Sequence, residues 1–176
     1  KPETIIVTTP HSVLYADYFH ISPNKGAKGD MRRFGVRSLS INVEYDTEFV
    51  KSLSEEAYFA DIPAGTIGER DPLLDHGTFI PLYFINKFYT DYKLVRIGLS
   101  GLSHLDHYRF GQIIAKTADK LGRNVVFVAS GDLSHKLLND GPYGFAEEGP
   151  EFDKQVTEAM KNGDFLAFLN FDPSFC

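Results

Sequence analysis

Three histidines stand beside apolar segments of this chain, each among small or acidic neighbours. They are His11 in Thr-Thr-Pro-His-Ser, His76 in Leu-Asp-His-Gly-Thr and His135 in Ser-Gly-Asp-Leu-Ser-His. Imidazole is suited both to proton transfer near neutral pH and to metal binding. His11 and His135 each follow an apolar run that reads as a buried strand. Open α/β sheets bind ligands beyond the carboxyl ends of their strands. The placement therefore predicts one site assembled from distant segments, with imidazoles available as metal ligands or proton carriers.

Each histidine also has a plainer reading. Pro10 fixes a backbone angle and would aim His11 at a set point, but a strand-end histidine can simply bond to a neighbouring loop. Asp75 could orient His76 or could cap the helix that follows. Gly77 would let a ligand approach the backbone closely. Asp132 or Ser134 could set the tautomer of His135. His104 and His107 flank Asp106, where ordinary helix-start chemistry explains them as well, and His20 reads as part of a loop. The chain has no phosphate-binding Gly-x-x-x-x-Gly-Lys-Ser/Thr, no Gly-x-Gly-x-x-Gly opening a helix and no Gly-x-Ser-x-Gly elbow.

The elements that must carry these residues follow from periodicity. Thr4–Thr9 is β-branched or aliphatic throughout and ends at Pro10, as a buried parallel strand does. Leu94–Leu99 and Val125–Ala129 read as two further buried strands. Leu39–Tyr45 alternates apolar and polar residues, which predicts a half-buried strand. Asp46 offers an N-cap for a helix over Thr47–Tyr58. Further helices are expected over Thr78–Phe88, Asp106–Leu121 (stopped by Gly122) and Pro150–Lys161. Ser22–Gly35 and Pro63–Asp71 read as loops. Strands alternating with helices predict an α/β fold, a mainly parallel central sheet flanked by helices, in a single domain.

Composition narrows the classes of function. The 176 residues suffice for one domain with a sizeable core, and 43% are hydrophobic, with 15 Phe and 9 Tyr. A net charge of −6 argues against a nucleic-acid surface. The one clearly basic stretch holds Lys25, Lys28, Arg32, Arg33 and Arg37, and reads either as a solvated loop or as a lid that contacts an anion. No apolar run reaches transmembrane length. The single cysteine, Cys176, excludes a disulfide framework within the chain and fits a reducing cytoplasm. Because a central strand starts at Thr4 and an apolar region runs to Phe171, residues 1–176 are expected to be part of a longer protein, truncated at both ends.

At these residues the chain resembles the class III extradiol ring-cleavage dioxygenases, the LigB-like superfamily. Thr4–Thr9 with Pro10-His11-Ser12 is similar to the strand that presents a metal-ligating histidine in that family. Asp75-His76-Gly77-Thr78 with Pro81-Leu82 resembles its Asp-His-Gly motif. Ser130-Gly131-Asp132-Leu133-Ser134-His135 resembles its Leu-Ser-His segment. The resemblance implies a partial LigB-like domain over residues 1–176. It implies Fe(II) in a site of two histidines and one carboxylate, with a small catechol-type substrate and O2 as partners. His11 would be an iron ligand, His135 the acid–base residue and His76 a second active-site histidine. Asp75, Asp132 and Ser134 are the candidates to orient them. In the family the other ligating histidine precedes the first strand, and the carboxylate ligand lies near the domain's C-terminal end, beyond Cys176. The iron site is therefore expected to be incomplete in this chain. The acidic residue in Ser-Gly-Asp-Leu-Ser-His fits the branch of the AmmeMemoRadiSam system, which includes Memo-type proteins, as a fused or neighbouring module. The alternative this raises is a Memo-like metal- or ligand-binding module of a modification or redox pathway, without ring cleavage. A cytoplasmic location is expected, with no membrane or nucleic-acid partner, and a homo-oligomer is left open.

Overall fold

A computed structural model of the chain describes residues 1–171. The chain forms two compact units, Lys1–Gly131 and a second that begins at Asp132. In the first unit a three-stranded parallel sheet is ordered β6-β1-β7, with β1 over Thr4–Thr9, β6 over Lys93–Gly98 and β7 over Val125–Ala129. β1 is central. Thr4 pairs with Lys93 on one side and with Val125 on the other, and the registers run in parallel from there. This is the expected α/β architecture, a parallel sheet flanked by helices.

Alternation along β1 sends its side chains into two cores. Ile6 joins Phe19, Phe49, Leu53, Val95, Ile97 and Phe110 on one face, where α1 (Thr47–Phe59) and α3 (His104–Leu121) pack. Ile5 and Val7 join Ala27, Ile41, Leu74, Phe79, Leu82 and Leu94 on the other, beneath α2 (His76–Ile85). Burial on both faces explains why β1 reads as an unbroken apolar run. β7 has a similar composition but lies at the sheet edge, with Val126 41% and Phe127 49% exposed within the described structure. The expectation of a third buried strand is corrected on that point.

Helix starts obey local chemistry. The Asp46 carboxylate accepts from Phe49 N at 3.1 Å and also from Thr4 Oγ1 at 2.6 Å, so one buried side chain caps α1 and anchors the start of β1. Ser103 caps α3, which ends at Gly122 with φ 61°. The region expected to be loop from Ser22 to Gly35 is different. It contains β3 (Gly26–Met31), which pairs antiparallel with β4 (Val36–Glu44) around a short 3-10 turn, Arg32–Phe34. A two-residue parallel pair, Phe19–His20 with Ala64–Gly65, was likewise not anticipated. The second unit holds a helix over Glu148–Asn162 and a 3-10 helix over Phe165–Asn170. Cys176 lies outside the described residues. Among the described residues no helix is long and apolar enough to cross a membrane.

Candidate active site

The first unit brings His11 and His76 together. Their ring centroids are 3.9 Å apart, tilted by 35°. His11 is exposed, in the turn that follows β1, and its backbone N–H donates to Thr9 Oγ1 at 3.2 Å. His76 is the first residue of α2 and is half-buried. Both line a cleft of about 580 Å³, bounded on another side by the β3–β4 hairpin. Phe34, at the tip of that hairpin, meets the His76 ring edge-on at 5.2 Å. The stretch read as a solvated loop or an anion-contacting lid is thus an ordered wall of the cleft that holds the histidine pair.

Asp75 acts as the helix cap. Its Oδ1 accepts from Thr78 N at 3.0 Å and from Thr9 Oγ1 at 2.7 Å, and its Oδ2 accepts from Thr78 Oγ1 at 2.9 Å. With both oxygens committed, Asp75 fixes where the helix opened by His76 begins and how that start sits on the end of β1. Gly77 serves the same junction. A Cβ there would stand 2.6 Å from Thr9 Oγ1 and 3.1 Å from the His11 ring. The space anticipated for a ligand's approach is taken by β1 and His11 themselves.

Beneath this junction lies Arg96, 2% exposed in the middle of β6. It donates from Nε to Ser22 Oγ at 2.8 Å, from Nη1 to Leu73 O at 2.5 Å and from Nη2 to Asp71 O at 2.7 Å. Glu69 and Asp75 lie 3.6 Å and 3.7 Å from its guanidinium. Five rigid donors suit Arg to holding several carbonyls at once. Here they fix the 71–75 segment that leads into α2. Sequence reasoning passed over Arg96, although a lone charge inside Leu-Val-Arg-Ile was a signal of a buried polar anchor.

His20, expected in a loop, is instead buried at 1% exposure in the short strand Phe19–His20. Burial pushes its pKa down; Glu69 opposes this and Arg96 adds to it. His107 is structural, with Nδ1 2.9 Å from Ser103 O and its ring edge-on to Phe19 at 4.7 Å. His104 begins α3.

In the second unit His135 is exposed. Its Nε2 lies 3.9 Å from Asp132 Oδ2, and its ring meets Tyr143 edge-on at 5.0 Å. Ser134 bonds elsewhere: its N–H donates to Asp153 Oδ1 at 2.7 Å and its hydroxyl accepts from Lys136 N at 3.1 Å. Of the two candidates to orient His135, Asp132 is therefore the one placed beside it. Among the described residues no group of three His, Cys, Asp or Glu side chains is placed to hold a metal ion. The described donors, two imidazoles beside a carboxylate already fully hydrogen-bonded, do not by themselves fit a bound Fe(II).

Comparison with known proteins bears on the same segments. The family model for the catalytic LigB subunit of aromatic ring-opening dioxygenase matches residues 1–175. Protein CA_C1420 of Clostridium acetobutylicum is 37% identical over 179 residues, covering 97% of this chain and 38% of that protein. The 3,4-dihydroxyphenylacetate 2,3-dioxygenase of Escherichia coli is 27% identical over 189 residues, covering 98% of this chain and 66% of that enzyme. The chain thus spans less than two fifths of one relative and about two thirds of the other.

Proposed function

The chain belongs to the LigB family of aromatic ring-opening dioxygenases, and from that premise we propose that the full-length protein opens a catechol-type ring with O2 by non-haem Fe(II) extradiol chemistry. The observation that carries this reading is the His11–His76 pair, in ring contact at 3.9 Å beside a cleft large enough for a small aromatic molecule. His11 is our candidate donor to the metal, whose remaining ligands would lie outside the described residues. A catechol must lose protons as it binds, and groups that titrate near neutral pH are suited to take them. His76, on its capped helix and lining the cleft, is our candidate to accept a proton from a ring hydroxyl. His135 is assigned the acid–base role by its motif, with Asp132 beside it. The single cysteine is consistent with work in a reducing cytoplasm.

The Asp132 of Ser-Gly-Asp-Leu-Ser-His favours a second reading, the AmmeMemoRadiSam-system branch. There the same pocket would bind a metal or ligand in a modification or redox pathway without ring cleavage. One experiment separates the two. The full-length protein is loaded anaerobically with Fe(II) and then given O2 and a panel of catechols. The dioxygenase reading expects stoichiometric iron and substrate-dependent oxygen uptake, lost in His135→Ala. Tight metal binding with no uptake across the panel overturns it in favour of the binding module.

A further inference from the structure

We propose that Ser130 is a positioning residue for His76. Its hydroxyl donates to the Gly77 carbonyl, which Pro81 leaves free, and so locks the first turn of α2 onto the ends of β1 and β7. This rests on the ring-opening reading for the role of His76 and adds a residue to that site.

Pro81 lies inside α2. In a regular helix the carbonyl of residue 77 accepts from the N–H of residue 81, one turn later. Pro81 has no N–H to give. Gly77 is buried, and a buried carbonyl without a donor is costly, so a partner from elsewhere in the fold is required. Ser130 is that partner, with its Oγ donating to Gly77 O at 2.6 Å. The two segments singled out by their histidines, Asp75-His76-Gly77 and Ser130-Gly131-Asp132, therefore meet through this bond at their first residues.

The backbone of Ser130 is itself fixed. Its N–H donates to Thr8 O at 3.0 Å, which carries the β1–β7 pairing one residue past the end of β7, and it still belongs to the first unit. From β1, Thr9 reaches the residue before His76: its Oγ1 donates to Asp75 Oδ1 at 2.7 Å. Hydroxyls from adjacent strands thus grip the residues on either side of His76, Asp75 and Gly77. Neither bond uses the imidazole, which lines the cleft and meets His11 at 3.9 Å and Phe34 at 5.2 Å. Misplacing a reacting group by about 1 Å can cost about a hundredfold in rate, so a hydroxyl that fixes the peptide beside His76 matters beyond stability.

Pro81→Ala supplies the matching test, because it restores an N–H that can reach Gly77 O along the helix and so replace the serine hydroxyl. The full-length protein is compared as parent, Ser130→Ala, Pro81→Ala and the double variant. Fe(II)-loaded protein is followed by oxygen uptake with catechols. Metal-free protein carrying isotope-labelled histidine is followed by the NMR cross-peak between the His11 and His76 rings. Ser130→Ala should lower kcat about tenfold with KM within about twofold, and should weaken the cross-peak. In the Pro81→Ala background the same change should cost less than about twofold, with the cross-peak kept. A serine with no link to the Gly77 carbonyl would cost the same in both backgrounds, and that result overturns the inference. So does a Ser130→Ala protein with unchanged kcat and an intact cross-peak, or a parent with no cross-peak. If Ser130→Ala fails to fold, the double variant decides: recovery supports the inference and an equal defect overturns it. The failure of the ring-opening reading looks different. A parent protein that takes up no oxygen sinks that reading alone, and the cross-peaks still decide this inference.

Discussion

His76 stands on a helix whose first residues are capped by Asp75, tied to β1 through Thr9 and underlain by the buried Arg96. His135 stands on an exposed stretch where its nearest charged partner is Asp132 at 3.9 Å, with both side chains more than half exposed. The first region is organised by interactions that also stabilise the fold, because each buried polar group there has to be answered by another. The second is held by contacts that water screens and that contribute little. The contrast suggests that a substitution near His76 will disturb folding and chemistry together. A substitution at His135 will report on chemistry nearly alone.

The sharpest way to break this comparison is Arg96→Met. It leaves Glu69 and Asp75 without their cation, and the Asp71 and Leu73 carbonyls without a donor. The loss expected from urea unfolding is about 3–5 kcal/mol, the usual consequence of removing one side of a buried charge cluster. A loss below about 1 kcal/mol would mean that the segment before α2 holds its shape without the arginine.

A smaller effect is expected from His20. Its buried imidazole has a lowered pKa in the fold, so the unfolded chain takes up the proton first as pH falls. Its contribution to stability is fully present above its ordinary pKa of 6.5 and is lost as pH drops through the folded value. Unfolding followed from pH 8 to pH 5 should show stability falling on the acid side, and His20→Leu should flatten that fall. An unchanged slope in the variant would locate the acid sensitivity elsewhere.

The smallest effect on stability belongs to His135→Ala, expected within about 0.5 kcal/mol of the parent in the same unfolding measurement. Paired with lost oxygen uptake in the full-length protein, that result would separate structural from chemical histidines. A loss above about 1.5 kcal/mol would show the second region to be as tightly built as the first.

Much of this was legible in local sequence. Asp46 and Asp75 announced helix starts, and Gly122 announced an end, because caps satisfy backbone groups within a few residues of themselves. β3 was hidden by its composition. Its glycines are there because neighbours press on them: a Cβ on Gly29 would stand 2.6 Å from Leu74 Cβ, and one on Gly26 would stand 2.5 Å from Val43 O. A segment that reads as loop was a strand packed too closely for side chains. His20 was misread for a related reason, since its two-residue strand exists only through pairing with Ala64–Gly65.

The sequence alone determined the three strands of the parallel sheet, the main helices, the α/β class and the histidines worth watching, because periodicity and capping are encoded over a few neighbouring residues. Tertiary structure decided which strand lies at the edge, since Val125–Ala129 and Thr4–Thr9 have the same apolar character and differ only in their place in the sheet order. It also decided that His11 and His76 touch and that a basic stretch forms a cleft wall. It made Arg96 an anchor as well. Each of these depends on contacts between residues distant in the chain, and only closure of the fold, with the burial it forces, brings such residues together.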